Sequence, residues 1–314
     1  MSKPSVPAVS QKLPLKSIAF AVVGGAAFYL ALVAYSDFDA VQAAFARLSW
    51  STYIALLIIS LMSYSARFVR WHLFLKVLDA HVSLKESALI YFAGFALTMT
   101  PAKAGETIRS LYLKGKGVAY STTLGAFVSE RLLDVLAVGT LSTLLFLALT
   151  DYQQVVWLGA GGVLFILLGL RLGLVSWVLA LLPAKNIVLH LRDFHDVIRD
   201  LLVGRSLFWA FPLSLFAWLC QGVSLWLIMQ ALAVDLSLWV VIGVYCLSIL
   251  VGAASFIPGG LGTTEASIVI LLGLLGVDNS IAVAGAILCR VVTLWLAVSI
   301  GVVSMARLAR SQRL

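Results

Sequence analysis

Ionisable side chains set in apolar surroundings are the residues of this chain most able to do chemistry. They fall in three stretches, "TPAKAGETIRS" (residues 100–110), "SERLLDVL" (129–136) and "IPGGLGTTEAS" (257–267), followed by Arg290. The candidates are Lys103, Glu106, Arg109, Glu130, Arg131, Asp134, Glu265 and Arg290. A charge at the centre of a membrane helix costs roughly 2.5–3.5 kcal/mol on insertion scales, so each needs a partner or a use. Arg131 and Arg290 could turn two planar guanidinium forks toward a phosphate, a geometry that arginine suits better than lysine. Glu106 and Glu265 could then act as counter-ions, proton acceptors or ligands for an ammonium head group. The structural alternative stays open beside this one: Glu130, Arg131 and Asp134 lie about one turn apart and could pin a neighbouring segment, and Glu106 could simply pair with Arg109.

Other chemistries find little support. The chain has no GxxxxGK[ST] phosphate loop, no HExxH and no CxxC, so neither an ATP motor nor a metal site nor another cofactor is expected. Cys220, Cys246 and Cys289 sit in apolar runs. His72, His81, His190 and His195 read as surface residues of cytoplasmic linkers. The net charge of +8 comes from cations scattered in ones and twos beside apolar runs, which speaks against nucleic acid.

The elements that must position these residues are membrane helices. With 314 residues, 62% hydrophobic and 11% charged, the chain has too little polar surface for a water-soluble globule. About 20 apolar residues cross a bilayer. Six runs suffice: 17–35, 50–66, 121–149, 155–170, 206–232 and 280–305. The stretch 87–100 is too short, and 236–276 is interrupted in its middle by Pro258, Gly259, Gly260 and Gly262. Pro101 and Gly105 interrupt the first in the same way. Broken backbone is tolerated at membrane depth only where protein or a wet cavity satisfies it. The two odd segments are therefore expected to be re-entrant helical hairpins around an internal cavity. The glycines of the second could form a nest of amides for an anion, or simply break the helix with Glu265 capping the next one, and the two are compatible.

Flanking Lys and Arg set the orientation. The N-terminal lysines, Arg67, Arg70, Lys76 and Lys85, Lys114 and Lys116, the cations of 185–205, and Arg307, Arg310 and Arg313 group on one side, so both termini are expected in the cytoplasm. The order of elements in the second half is then the first half inverted, a pattern of secondary transporters whose sites lie where the repeats meet. The expected fold is all-α, a polytopic integral membrane protein with six transmembrane helices and two re-entrant hairpins. Its parts are a tail at 1–16, a first repeat at 17–150, a second at 151–306 and a tail at 307–314. Within the second, 185–205 is an amphipathic interfacial helix. The stretch 70–81 is read similarly, Trp50, Trp71 and Trp157 as interface anchors, and the pairs Gly24–Gly25 and Gly161–Gly162 as close helix packing.

With its three motifs in this order over residues 15–310, the chain resembles the flippase-like membrane domain of lysylphosphatidylglycerol synthase and its stand-alone relatives. The resemblance implies that Pro101, Gly105, Glu106 and Arg109, then Glu130, Arg131 and Asp134, then Pro258, Gly259, Gly260, Gly262 and Glu265 are the family's motif positions, with Arg290 as a late arginine. In that family the synthase aminoacylates phosphatidylglycerol with a soluble domain and moves it across the bacterial inner membrane with the membrane domain; stand-alone relatives resemble partners of glycolipid or polyprenyl-lipid pathways. The expected function is translocation of an anionic or zwitterionic lipid in a multi-pass inner-membrane protein without catalytic residues. The alternatives are a scaffold for a glycosyltransferase and a membrane-embedded lipid transferase. Self-association, the lipid, its direction and any coupling ion are left open.

Overall fold

A computed structural model describes residues 38–100, 105–148, 186–203 and 205–311, with isolated positions 154, 161, 162, 165 and 169. The expected span 17–35 with Gly24 and Gly25 and, save for positions 161, 162, 165 and 169, the expected span 155–170 with Trp157 lie outside the described residues, as do Pro101 and Lys103.

All regular structure among the described residues is helical. In chain order it comprises α1 (Phe38–Arg47), α2 (Trp50–Val77), α3 (Leu84–Gly94), α4 (Ile108–Lys114), α5 (Tyr120–Ala148) and α6 (Asn186–Leu202). There follow α7 (Ser206–Ala231), α8 (Leu238–Ala254), α9 (Thr263–Leu274), α10 (Asn279–Arg290) and α11 (Leu296–Ser311). A π-helical turn, Val291–Trp295, joins α10 to α11, so that Asn279–Arg310 runs on as one 32-residue helix. By length and composition three helices among the described residues can cross a membrane, Trp50–Val77, Ser206–Ala231 and Asn279–Arg310. Helix α5, 29 residues long, covers the run expected as a further span and carries Glu130, Arg131 and Asp134 in its first half.

Between these long helices lie two helical hairpins. In the first, Ser83 caps α3, which is only 11 residues long, or roughly 16 Å at 1.5 Å per residue. It tightens into a 3-10 turn at Phe95–Leu97, and the chain returns through α4. The two ends of the excursion touch, because Lys116 Nζ donates to Glu86 Oε1 at 2.6 Å. In the second, α8 and α9 pack side by side around the break at Pro258. Gly259, Gly260 and Gly262 take φ of 63°, 64° and 84°, values that only glycine adopts without strain.

Two apolar clusters divide the long helices between them. Leu56 of α2, Ala137 to Leu145 of α5, Leu225 of α7 and Ala282 to Cys289 of α10 belong to one, together with the second hairpin. Trp71 and Phe74 of α2, Ala126 and Leu133 of α5, Ala210 of α7 and Ala297 to Leu308 of α11 belong to the other, together with the first hairpin. Along α5, α7 and α10–α11 the buried charged residues Glu130, Asp134 and Arg290, with Ser214 and Thr293, fall at the junction of the clusters. Each hairpin thus occupies one apolar layer, and their tips meet between the layers. A Cβ built on Gly259 would stand 3.5 Å from the Cα of Met99.

Each hairpin also packs on the long helix that follows the other. A Cβ on Gly301 of α11 would run into the backbone of Phe95 and Ala96, and one on Gly243 of α8 into the backbone of Leu145. Only glycine admits so close an approach of two main chains.

Several sequence expectations are corrected here. The stretch 70–81 is not a separate interfacial segment, since α2 continues unbroken to Val77 and buries Trp71, Phe74 and Leu75. Trp71 is therefore no interface anchor, whereas Trp50 is exposed. Arg67 and Arg70 are buried rather than flanking charges, because the helix carries them into the interior. His72 belongs to α2 and stacks on Phe68, and His195 is buried near Asp196. Helix α6 is amphipathic as expected, yet its Ile198, Leu201 and Leu202 are buried in the second cluster and Val197 abuts Gly125 of α5. Among the described residues, a Cβ built on Gly161 or Gly162 would meet nothing within 4 Å.

Candidate functional site

The ionisable residues of the three motifs converge on a cavity of about 300 Å³ between the hairpin tips. Thr98, Thr100 and Glu106 from the first hairpin face Gly252, Gly259 and Gly260 from the second across it. Arg131 and Asp134 of α5 and Arg290 of α10 complete the charged part of the lining, with Arg67 of α2. Tyr64, Gln221 and Tyr245 add hydroxyl and amide groups. Three lining residues are exposed on the outside of the molecule, Val135, Ala253 and Ile257, and all three are apolar.

One ion network stands on the side of the first hairpin. Arg70 Nη1 lies 2.8 Å from Asp134 Oδ1 and donates to Ser214 Oγ, and its Nη2 lies 3.6 Å from Glu130 Oε1. Arg109 Nη1 lies 3.0 Å from Glu130 Oε2, its Nη2 3.3 Å from Glu106 Oε2, and its Nε donates to the Glu106 carbonyl at 3.1 Å. The Arg109 guanidinium is also sandwiched near the rings of Trp71 and Tyr91, 4.4 Å and 4.9 Å from their centroids. Arg131 Nη2 lies 3.0 Å from Asp134 Oδ2 and 3.9 Å from Glu106 Oε2. Thr98 donates to the other Glu106 oxygen at 2.9 Å. Buried charges persist only when paired in this way.

The second hairpin repeats the theme more simply. Arg290 Nε donates to Glu265 Oε1 at 2.7 Å, and Arg290 Nη2 to the Gly259 carbonyl at 2.5 Å. The other oxygen of Glu265 accepts from the Gly262 amide at 2.7 Å, closing a cap on α9. With the Gly260 amide bonded to the Ile257 carbonyl as well, the glycine run breaks the helix and two of its three glycine amides are already engaged.

The expected site residues thus divide. Glu106, Arg131, Asp134 and Arg290 face the cavity, while Arg109, Glu130 and Glu265 stand behind them as pairing partners. Gly105 is placed at the turn by its amide, which donates to Thr100 Oγ1 at 2.6 Å. Arg67, Arg70, Tyr64, Gln221 and Tyr245 were not expected. For Arg67 and Arg70 the signal was their three-residue spacing in a helix that also buries Trp71, which puts both toward the protein interior. Among the described residues no group of three or more His, Cys, Asp or Glu side chains could hold a metal ion.

The family model of the lysylphosphatidylglycerol synthase TM region matches residues 17–301. The chain belongs to that family. Among its relatives is a UPF0104 membrane protein of Methanocaldococcus jannaschii, 23% identical over 90% of this chain and 92% of the relative. Others are UPF0104 membrane proteins of Pyrococcus horikoshii, 26% identical over 74% of this chain and 80% of the relative, and of Methanothermobacter thermautotrophicus, 28% identical over 67% and 70%. A further match in Methanothermobacter, 28% identical, spans 36% of this chain and only about a third of the relative, 33%. All of these relatives are archaeal, so family membership establishes a multi-pass membrane protein without specifying which membrane holds it.

Proposed function

We propose that the chain is a lipid translocase in which a charged head group passes through the cavity between the hairpin tips while the tails stay in the bilayer. The observation that carries this reading is the amphipathic build of the cavity, with Arg131, Asp134, Glu106 and Arg290 in its lining and, among the described residues, the apolar Val135, Ala253 and Ile257 as its exposed part. A ligand matching it has one charged end and an apolar body reaching sideways into lipid. Membership of the lysylphosphatidylglycerol synthase membrane-region family supports a lipid substrate for this chain as well.

In this reading residues 17–150 and 151–306 are inverted repeats and the hairpins are re-entrant from opposite faces of the membrane. The tip contact between Met99 and Gly259 is then the barrier. Met99, Leu294 and Val298, with Leu261 and Trp295 against them, form a small apolar cluster there. Parting of the tips on one side and then the other exposes the cavity alternately. Movement follows the lipid gradient or membrane potential, or protons taken by Glu106. The head group is anionic or zwitterionic, and the membrane is a plasma membrane.

The test is reconstitution into vesicles carrying fluorescent phosphatidylglycerol or a polyprenyl phosphate, with a membrane-impermeant quencher outside. Protein-containing vesicles should lose their protected fraction faster than empty ones, and Arg131→Gln should slow that loss. Equal loss with and without protein overturns the proposal.

A further inference from the structure

Arg67 differs from the other arginines at this site. Arg70, Arg109, Arg131 and Arg290 each reach a carboxylate, at 2.8, 3.0, 3.0 and 2.7 Å. Arg67 reaches none: its Nε and Nη2 are buried without a hydrogen-bond acceptor, and only 6% of the residue is exposed. Its guanidinium lies 4.2 Å from the centroid of the Trp218 ring, and both residues line the cavity. Among the described residues of this cluster, Arg67, Arg70, Arg109, Arg131 and Arg290 outnumber Glu106, Glu130, Asp134 and Glu265 by one. A buried guanidinium with no carboxylate at ion-pair distance is costly, and stacking on an indole returns only part of that cost.

We propose that Arg67, backed by Trp218, is the seat of a singly charged phosphodiester. Stacking covers one face of the fork and leaves its edge N–H groups to bind in the plane, where a phosphate offers two oxygens. A single negative charge balances the single excess cation, which favours a phosphodiester with no second charge over a zwitterionic head group or a doubly charged monoester. That the phosphodiester belongs to a lipid rests on the translocase reading. That an oxyanion binds at Arg67 does not.

Native mass spectrometry of the purified full-length protein, titrated in detergent with phosphatidylglycerol, phosphatidylcholine or soluble glycerol 3-phosphate, tests this. Phosphatidylglycerol should be retained at least about tenfold over phosphatidylcholine, the size of effect a charge-assisted hydrogen bond gives. Arg67→Gln should abolish the preference, Arg67→Lys should keep part of it, and Arg307→Gln, an exposed position, should change nothing. In lipid-free detergent Arg67→Gln should melt no lower than the wild type, because it removes an unpaired charge, and phosphatidylglycerol should raise the melting temperature of the wild type alone. Unchanged retention by Arg67→Gln, no preference in the wild type, or a melting loss matching that of Arg70→Gln overturns the assignment. Glycerol 3-phosphate retained as well as the lipid overturns its lipid part. Arg67-dependent retention without transport in vesicles overturns the translocase reading alone, and transport insensitive to Arg67 overturns this one alone.

Discussion

Arg290 Nε and Glu265 Oε1 stand 2.7 Å apart, tying the last long helix to the first turn of the second hairpin's return arm. The first hairpin has its counterpart in Arg131 and Glu106, at 3.9 Å. In both cases a buried glutamate just past the helix break faces an arginine from the next long helix. The tighter of the two pairs also caps α9 and holds the Gly259 carbonyl, so it fixes the shape of the second tip.

Breaking that pair should therefore be costly. Glu265→Gln or Arg290→Gln alone should each destabilise the protein by about 3–5 kcal/mol, since each takes from a buried charge its 2.7 Å ion-pair partner. The double variant should lose less than the sum of the two. Thermal unfolding in detergent across the four proteins measures the coupling, and strict additivity would show that the contact does not form.

Arg70 bridges three partners on two other helices, Asp134, Glu130 and Ser214. Arg70→Gln should lower stability by a similar ~3–5 kcal/mol. Arg70→Lys should not restore it, because one ammonium group cannot reproduce a planar fork. Full recovery by lysine in the same melting assay would contradict the geometry.

Gly301 meets the main chain of Phe95 and Ala96, and no side chain can move aside there. Gly301→Val should abolish folded protein, read as loss of the monodisperse peak in size-exclusion chromatography. Gly139→Ala in α5, where a Cβ would meet nothing within 4 Å among the described residues, should elute as wild type.

The contact of Glu86 with Lys116 places both ends of the first hairpin together. In a functional cysteine-free background, Ser83→Cys and Lys116→Cys should react with an impermeant thiol reagent from the same side of the membrane. Labelling from opposite sides would mean that the segment crosses completely.

The same contact has a small pH dependence. Hydrogen bonds from Lys116 and then Ser83 hold the Glu86 carboxyl below its ordinary pKa. A lowered folded-state pKa stabilises the fold above the ordinary carboxylate value and loses that contribution as pH falls through the folded value. Both side chains are largely in solvent, at 50% and 37% exposure, so screening leaves little. Glu86→Gln should shift the melting temperature at pH 7 by no more than about 2 °C, with a smaller difference in acid.

Much of the architecture was legible in composition and local chemistry. Apolar runs long enough to cross a bilayer mark α2, α5, α7 and the α10–α11 helix, because span length is a property of consecutive residues. The hairpin breaks are equally local. Thr98 to Gly105 and Pro258 to Gly262 carry the small and imino residues that a helix cannot continue through. The carboxylates and arginines of the motifs stood out for the same reason, as charges in places where a charge is expensive.

What local reading missed was which charges pair. Arg67 and Arg70 follow an apolar run and look like the cationic end of a span. Only because α2 extends to Val77 do they fall inside the protein, and only the approach of α5 and α7 gives Arg70 its partners while leaving Arg67 with an indole. By itself the sequence determined that this is a multi-pass helical membrane protein with two broken helices and charges near the breaks. The tertiary structure decided that the breaks meet at one cavity, and which guanidinium there is left over. Helix formation depends on neighbours along the chain, whereas the balance of buried charge depends on helices far apart in sequence coming within a few ångströms.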